Sequence, residues 1–187
     1  VWYHCSPEYA RPGYQPIRPV PFSPALPAGP IGLDCRYCHN AVAKSWYSNI
    51  PASSTCMNCD NQVLKDDPRL ALVRESAASG KPIPWVQIHR LPDFAYFNHS
   101  VHVDRGISCV ECHGPVNKMD EVYRVHGMSM TFCLDCHRHP ETKLRPLNKI
   151  TDLDWKAASP EKQREYGLKA MKQEHVESLQ NCSACHR

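Results

Sequence analysis

Cys35-Arg36-Tyr37-Cys38-His39 is a pair of cysteines three residues apart, closed at once by a histidine. The same pattern returns as Cys109-Val110-Glu111-Cys112-His113, Cys133-Leu134-Asp135-Cys136-His137 and Cys182-Ser183-Ala184-Cys185-His186. A further copy, Cys56-Met57-Asn58-Cys59-Asp60, keeps both cysteines but has aspartate in the last place. Ten of the eleven cysteines are used in this way, and Cys5 is the odd one. Successive copies start 21, 53, 24 and 49 residues apart. In this short-long-short-long rhythm the first two motifs and the next two look like similar pairs, with the fifth added. It is weak evidence of an ancient duplication.

Two thiols with an adjacent histidine are what covalent attachment of haem c requires. The thiols form thioethers with the two vinyl groups, and the histidine then lies under the iron as its proximal ligand. Zinc ribbons also use Cys-x-x-Cys, but in pairs that close Cys₄ or Cys₂His₂ sites. Thioredoxin-like chemistry uses one such pair in a βαβ setting, which is absent here. A disulfide scaffold would not place histidine after four pairs of five. The reading is therefore five haem c groups, with His39, His113, His137 and His186 as proximal ligands.

Composition agrees with such a chain. It has 187 residues and five motifs, or about 37 residues per motif, so flat apolar cofactors must supply much of the interior. Only four Phe are present, mean hydropathy is -0.52, and seventeen Pro outnumber eight Gly. Extended, irregular chain is expected, with short α-helices and no significant β-sheet, wrapped around closely packed haems like a class III-like multihaem cytochrome c. A formal net charge of +3, with acids and bases interspersed, gives no reason to expect a nucleic-acid partner. No run of 18 or more apolar residues could span a bilayer. The chain starts at Val1, as expected if an export signal or membrane anchor has been removed or lies outside it. Haem is joined to such chains outside the cytoplasmic membrane, so the periplasmic face is the expected location.

Five irons take up to ten axial ligands. Beyond the four motif histidines, His4, His89, His99, His102, His126, His139 and His175 remain. A lone histidine is more often a surface or packing residue; seven beside five haems are better read as candidate distal ligands. His99 and His102 are the strongest, because an i, i+3 pair on one helical turn can offer its rings to two irons. His102, His126 and His175 each stand seven residues before the next motif. Met128 and Met130 are alternative ligands, which would raise a reduction potential relative to histidine, or else packing groups. Asp60 leaves the second site open to three readings: a remote ligand, an open iron, or no haem. An attached haem is favoured because the cysteines keep their spacing.

Residues 1–33 hold eight prolines and only three charged residues, which reads as an extended arm. Its Trp2, Tyr3, Tyr9, Tyr14 and Phe22 point to an arm lying along a partner subunit; residues 34–187 make the pentahaem domain. A helix is predicted at about 67–79, with Asp66 or Asp67 capping, Pro68 in the first turn, Gly80 ending it and Leu70, Val73 and Ala77 inward. A second is predicted at about 159–179, capped by Ser159 and opened by Pro160, with Leu168, Met171, His175 and Leu179 on its buried face.

Several stretches resemble the pentahaem cytochrome subunit of bacterial alternative complex III. They are Tyr14-Gln15-Pro16, Asp34-Cys35-Arg36-Tyr37-Cys38-His39, Thr55-Cys56-Met57-Asn58-Cys59, Pro82-Ile83-Pro84-Trp85-Val86, Tyr96-Phe97-Asn98-His99-Ser100-Val101-His102 and Ser129-Met130-Thr131-Phe132-Cys133. In motif order the resemblance covers roughly residues 8–187. It implies an electron-carrier subunit without a catalytic site, in a membrane complex that oxidises quinol. The implied partners are an iron–sulfur subunit related to molybdopterin enzymes, a polytopic quinol-binding membrane subunit, and a monohaem cytochrome c or small copper protein as acceptor. It also implies an N-terminal membrane anchor, beside which Trp2 and Tyr3 would lie at the interface. Asp60 departs from the family pattern, which would have histidine there. Two rivals stand beside it: a multihaem reductase with an open haem at Cys56/Cys59/Asp60, and a soluble periplasmic electron shuttle.

Overall fold

Each of the five Cys-x-x-Cys pairs sits on a short helix of its own in the computed structural model, which describes residues 12–186. Expectations for Trp2, Tyr3, His4, Cys5 and Tyr9 concern residues outside that range. In chain order the helices are α1 Ala25–Ala28, α2 Cys35–Cys38, α3 Ser53–Asp60, α4 Ala71–Ser79, α5 His99–Asp104, α6 Cys109–His113, α7 Met130–Arg138, α8 Pro160–Gln173 and α9 Cys182–Cys185. Helix spacing of i and i+3 brings the two thiols of a pair to one side of one turn. Among the described residues there is no sheet, only isolated bridges from Ala95 to His186 and from Ile107 to Leu144. No described helix is long and apolar enough to cross a membrane.

Caps set where the motif helices begin. The Asp34 carboxylate accepts from Arg36 N–H ahead of α2, Ser108 caps α6, and Ser129 caps α7. Ser108 is buried, and its hydroxyl also donates to the Ile150 carbonyl at 2.6 Å. Ser108→Ala should therefore lower stability by about 1–2 kcal/mol, the sum of a lost cap and a stranded carbonyl. Denaturant unfolding of the haem-loaded protein would check this.

The side-chain core is small. Val20, Val73 and Ile83 are buried together, with Met57, Leu70 and Trp85 around them. Leu144, Ile150 and Leu153 are buried beneath the third motif. Large apolar groups stay open to solvent, among them Trp46, Val63, Phe94, Val101 and Met130. Accessible surface is 12318 Å², whereas a compact chain of this mass exposes about 9,100 Å². Surface of that kind suits a chain completed by flat apolar cofactors.

The predicted helix at 67–79 appears as a 3₁₀ turn, Pro68–Leu70, running into α4. Asp67 accepts from Arg69 N–H at the start, and Gly80 closes the helix at φ 72. Helix α8 ends earlier than predicted, at Gln173. His175 takes a left-handed turn at φ 51, and Val176 N–H reaches back to the Met171 carbonyl, closing a Schellman-type end. Leu179 is thus off the helix, and Leu168 is exposed. The buried face is Gly167 and Ala170 instead, because α8 lies close on the turn Pro140–Thr142, where only small residues fit.

The described part of the proline-rich arm lies antiparallel along residues 117–124 of its own chain. Gly13 N–H donates to Arg124 O, Arg124 N–H to Tyr14 O at 3.0 Å, and Ala25 N–H to Met119 O at 3.2 Å. Contrary to the wholly non-helical expectation, it contains α1. Pro24 precedes this helix and Pro27 is in its first turn, where a missing N–H costs nothing.

Candidate haem sites

Four histidines are anchored in the same way. Nδ1 of His39 faces the Asn49 carbonyl at 2.8 Å, that of His99 the Trp46 carbonyl at 2.8 Å, that of His102 the Asn98 carbonyl at 2.8 Å and that of His186 the Phe94 carbonyl at 3.0 Å. A carbonyl only accepts, so Nδ1 carries the proton and Nε2 keeps a free lone pair, the form in which histidine binds metal. His89 has its Nε2 buried with no hydrogen-bond partner. Desolvation among packed rings pushes His113 down to about 3 and His89 down to about 4, so both are neutral at ordinary pH.

The rings are also paired. His99 and His113 lie parallel with centroids 6.4 Å apart, and His102 and His137 lie 6.2 Å apart at 70°. Two imidazoles that ligate one ion from opposite sides stand about 6 Å apart between ring centres, given metal–nitrogen bonds of ~2.0–2.1 Å. Phe97 packs on both His99 and His102 and fixes their turn. The donor set and the spacing both fit haem iron. His89 also touches His113 edge-on at 4.4 Å, too close to share an ion across that gap.

The remaining candidates are less engaged. His126 stacks on Phe132 of α7 at 5.0 Å. His139 and His175 are exposed, with His139 Nδ1 3.8 Å from a Glu141 carboxylate oxygen. Met128 has φ 46, and Met130 is exposed at the start of α7. Asp60, at the end of α3, has its carboxyl pushed up by burial, with the Arg74 guanidinium opposing.

No two of the ten described cysteines form a disulfide; Cys59 and Cys182 are exposed and the other eight partly buried. Among the described residues no three His, Cys, Asp or Glu side chains gather round one point. Burial pushes Cys112 up to about 12, as in an apolar setting. Sequence reasoning could not name the anchoring carbonyls of Trp46, Asn49, Phe94 and Asn98, since a backbone oxygen leaves no mark in residue identity.

Asp34 holds the entrance to α2. It accepts from the Arg36 backbone and guanidinium at 2.8 Å, and from Thr151 at 2.9 Å. The Arg36 side chain, first among these, holds its carboxyl well below the usual carboxylate range. A carboxyl with a depressed folded pKa stabilises the fold above its unfolded pKa of about 3.9, and that contribution fades as pH falls. Asp34→Asn should therefore be less stable than the parent at neutral pH, by no more than about 1 kcal/mol because the pair is solvent-screened, and the gap should narrow steadily as pH falls below about 4. Thermal melts across pH would show it.

Paired cysteines on single helical turns, four of the five pairs with a histidine beside them, and imidazoles anchored through Nδ1 define a multihaem c-type cytochrome, a protein of electron transfer. Residues 95–187, which include the third to fifth motifs, match the family of cytochrome c7 and related cytochrome c. The chain is also 31% identical over 142 residues to the "Menaquinone reductase, multiheme cytochrome c subunit" of Nitratidesulfovibrio vulgaris. That match covers 75% of this chain and 66% of the relative, just under two thirds of its length.

Proposed function

We propose that this chain is the electron-transfer subunit of a membrane complex that oxidises quinol, of the alternative complex III type. It would carry five haem c groups, joined at Cys35/Cys38, Cys56/Cys59, Cys109/Cys112, Cys133/Cys136 and Cys182/Cys185. When bound, each haem supplies a one-electron iron centre whose potential the protein tunes by ligand, burial and charge. His113 and His99 would hold the third haem between them, and His137 and His102 the fourth. The paired imidazoles support the relay reading: two histidines with ring centres about 6 Å apart would hold one iron between them and leave it no free place for a substrate.

The partners follow from the sequence resemblance: an iron–sulfur subunit, a polytopic quinol-binding subunit, and a monohaem cytochrome or copper protein as acceptor, on the periplasmic face of the membrane. Exposed Ile17, Phe22, Leu26 and Ile31 support the arm as a surface for such partners. The relative's name favours a second reading, in which electrons run the other way, toward menaquinone.

Two measurements test the proposal. In the fully reduced protein, CO should leave the spectrum unchanged; CO binding together with turnover of nitrite or hydroxylamine would replace the relay by a reductase. In the isolated complex, quinol should reduce the haems within its turnover time. Oxidation of pre-reduced haems by menaquinone, without reduction by quinol, would favour the second reading.

A further inference from the structure

We infer that the five haem sites form one unbranched series in the order second, first, third, fourth, fifth motif, so that its two ends are the Asp60 site and the C-terminal site. The inference rests on the five-haem reading above. It is independent of motif order along the chain, which would put the first motif at an end.

Each link has its own contacts. Between second and first, the Asn58 amide, inside the second motif, donates to the Tyr37 hydroxyl, inside the first, at 2.9 Å. Between first and third, the Cys35 and Cys109 side chains are neighbours. The strand of chain after the first motif also holds the helix before the third: Ser100 N–H donates to Ser45 O at 3.2 Å, and His99 to Trp46 O through both its N–H and its ring.

Between third and fourth, α5 offers His99 to His113 and, one turn on, His102 to His137. Lys143, after the fourth motif, pairs with Glu111 of the third at 3.2 Å. Between fourth and fifth, the Ser178 hydroxyl donates to the His137 carbonyl at 2.6 Å. The fifth motif is pinned from its other side by Tyr96 N–H on the Cys185 carbonyl and by the Phe94 carbonyl on His186. Among the described residues, the second motif's contacts with other motifs go to the first.

The order has a functional meaning. The one site without a motif histidine is a terminus, where an electron is handed on or received. The third site is the midpoint through which both halves communicate.

Iron-edge anomalous diffraction from crystals of the intact haem-loaded protein tests the order, each iron being assigned through its cysteine pair. The iron at Cys56/Cys59 should have a single near neighbour, at Cys35/Cys38, and the iron at Cys182/Cys185 a single near neighbour, at Cys133/Cys136. A second-motif iron beside the third, fourth or fifth, or any branched arrangement, would overturn the inference. A map with no iron at Cys56/Cys59 would defeat the five-haem reading while the remaining order, first-third-fourth-fifth, is still judged. Electron paramagnetic resonance gives a second readout. Cys35→Ala/Cys38→Ala should narrow the second haem's signal by removing its only neighbour, and Cys182→Ala/Cys185→Ala should leave it unchanged; the reverse pattern would contradict the series.

Discussion

Replacing His102 by methionine is expected to raise the reduction potential of the fourth haem by on the order of 0.1 V or more, within the ~0.8 V span that axial ligation commands. The side chain is half-buried on α5, its Nδ1 fixed to the Asn98 carbonyl and its ring 4.5 Å from Phe97. Its ring centre lies 6.2 Å from that of His137, with the planes at 70°. Thioether ligation favours the reduced iron relative to imidazole, and methionine matches the volume, so the fold should hold. His102→Ala instead leaves the sixth position open. It should turn that haem high-spin and let its reduced form bind CO, with the other haems unchanged. Spectroelectrochemical titration resolves the first effect and absorption spectroscopy the second. An unmoved fourth potential in both variants would remove His102 from the ligand set.

The second large effect is on stability. In an open helix, Gly167→Ala would gain about 1 kcal/mol of helix propensity. Here the added methyl would collide with the Glu141 carbonyl oxygen and stand 2.6 Å from that residue's carbonyl carbon and Cα. Both obstacles are backbone, held by the buried turn Pro140–Thr142, onto which Gln163 also donates at Glu141 O and Leu144 O. Helix α8 would have to lift from the turn that follows the fourth motif. Overpacking of this kind outweighs propensity, and a net loss of about 2–3 kcal/mol is expected. For a chain of this size that is roughly a 4–12 °C fall in melting temperature. A rise in melting temperature would mean that α8 does not sit on that turn.

Much of the architecture was legible because the motifs are self-contained. A cysteine pair needs one helical turn, while the caps Asp34, Ser108 and Ser129 that start those turns become visible only in the structure. Helix α4 was legible too, since its Asp67, Pro68 and Gly80 mark its start and stop. What escaped depends on distant partners. The end of α8 is set by His175 in a conformation that glycine usually takes, so periodicity ran past it to Leu179. Its buried face was misread because Gly167 and Ala170 look like poor core residues until another backbone lies against them. The His99/His102 pair was visible as a pair. That its rings would stand opposite His113 and His137 depends on how residues 99–137 fold back, which no local pattern encodes.

The number of haems bound per chain tests the central claim most directly. Pyridine haemochrome absorbance against protein mass, with intact-mass spectrometry of the denatured chain, should give five covalently bound haems. Four, with Cys56 and Cys59 unmodified, would remove the second site and one end of the series; none would contradict the assignment of this chain as a multihaem cytochrome.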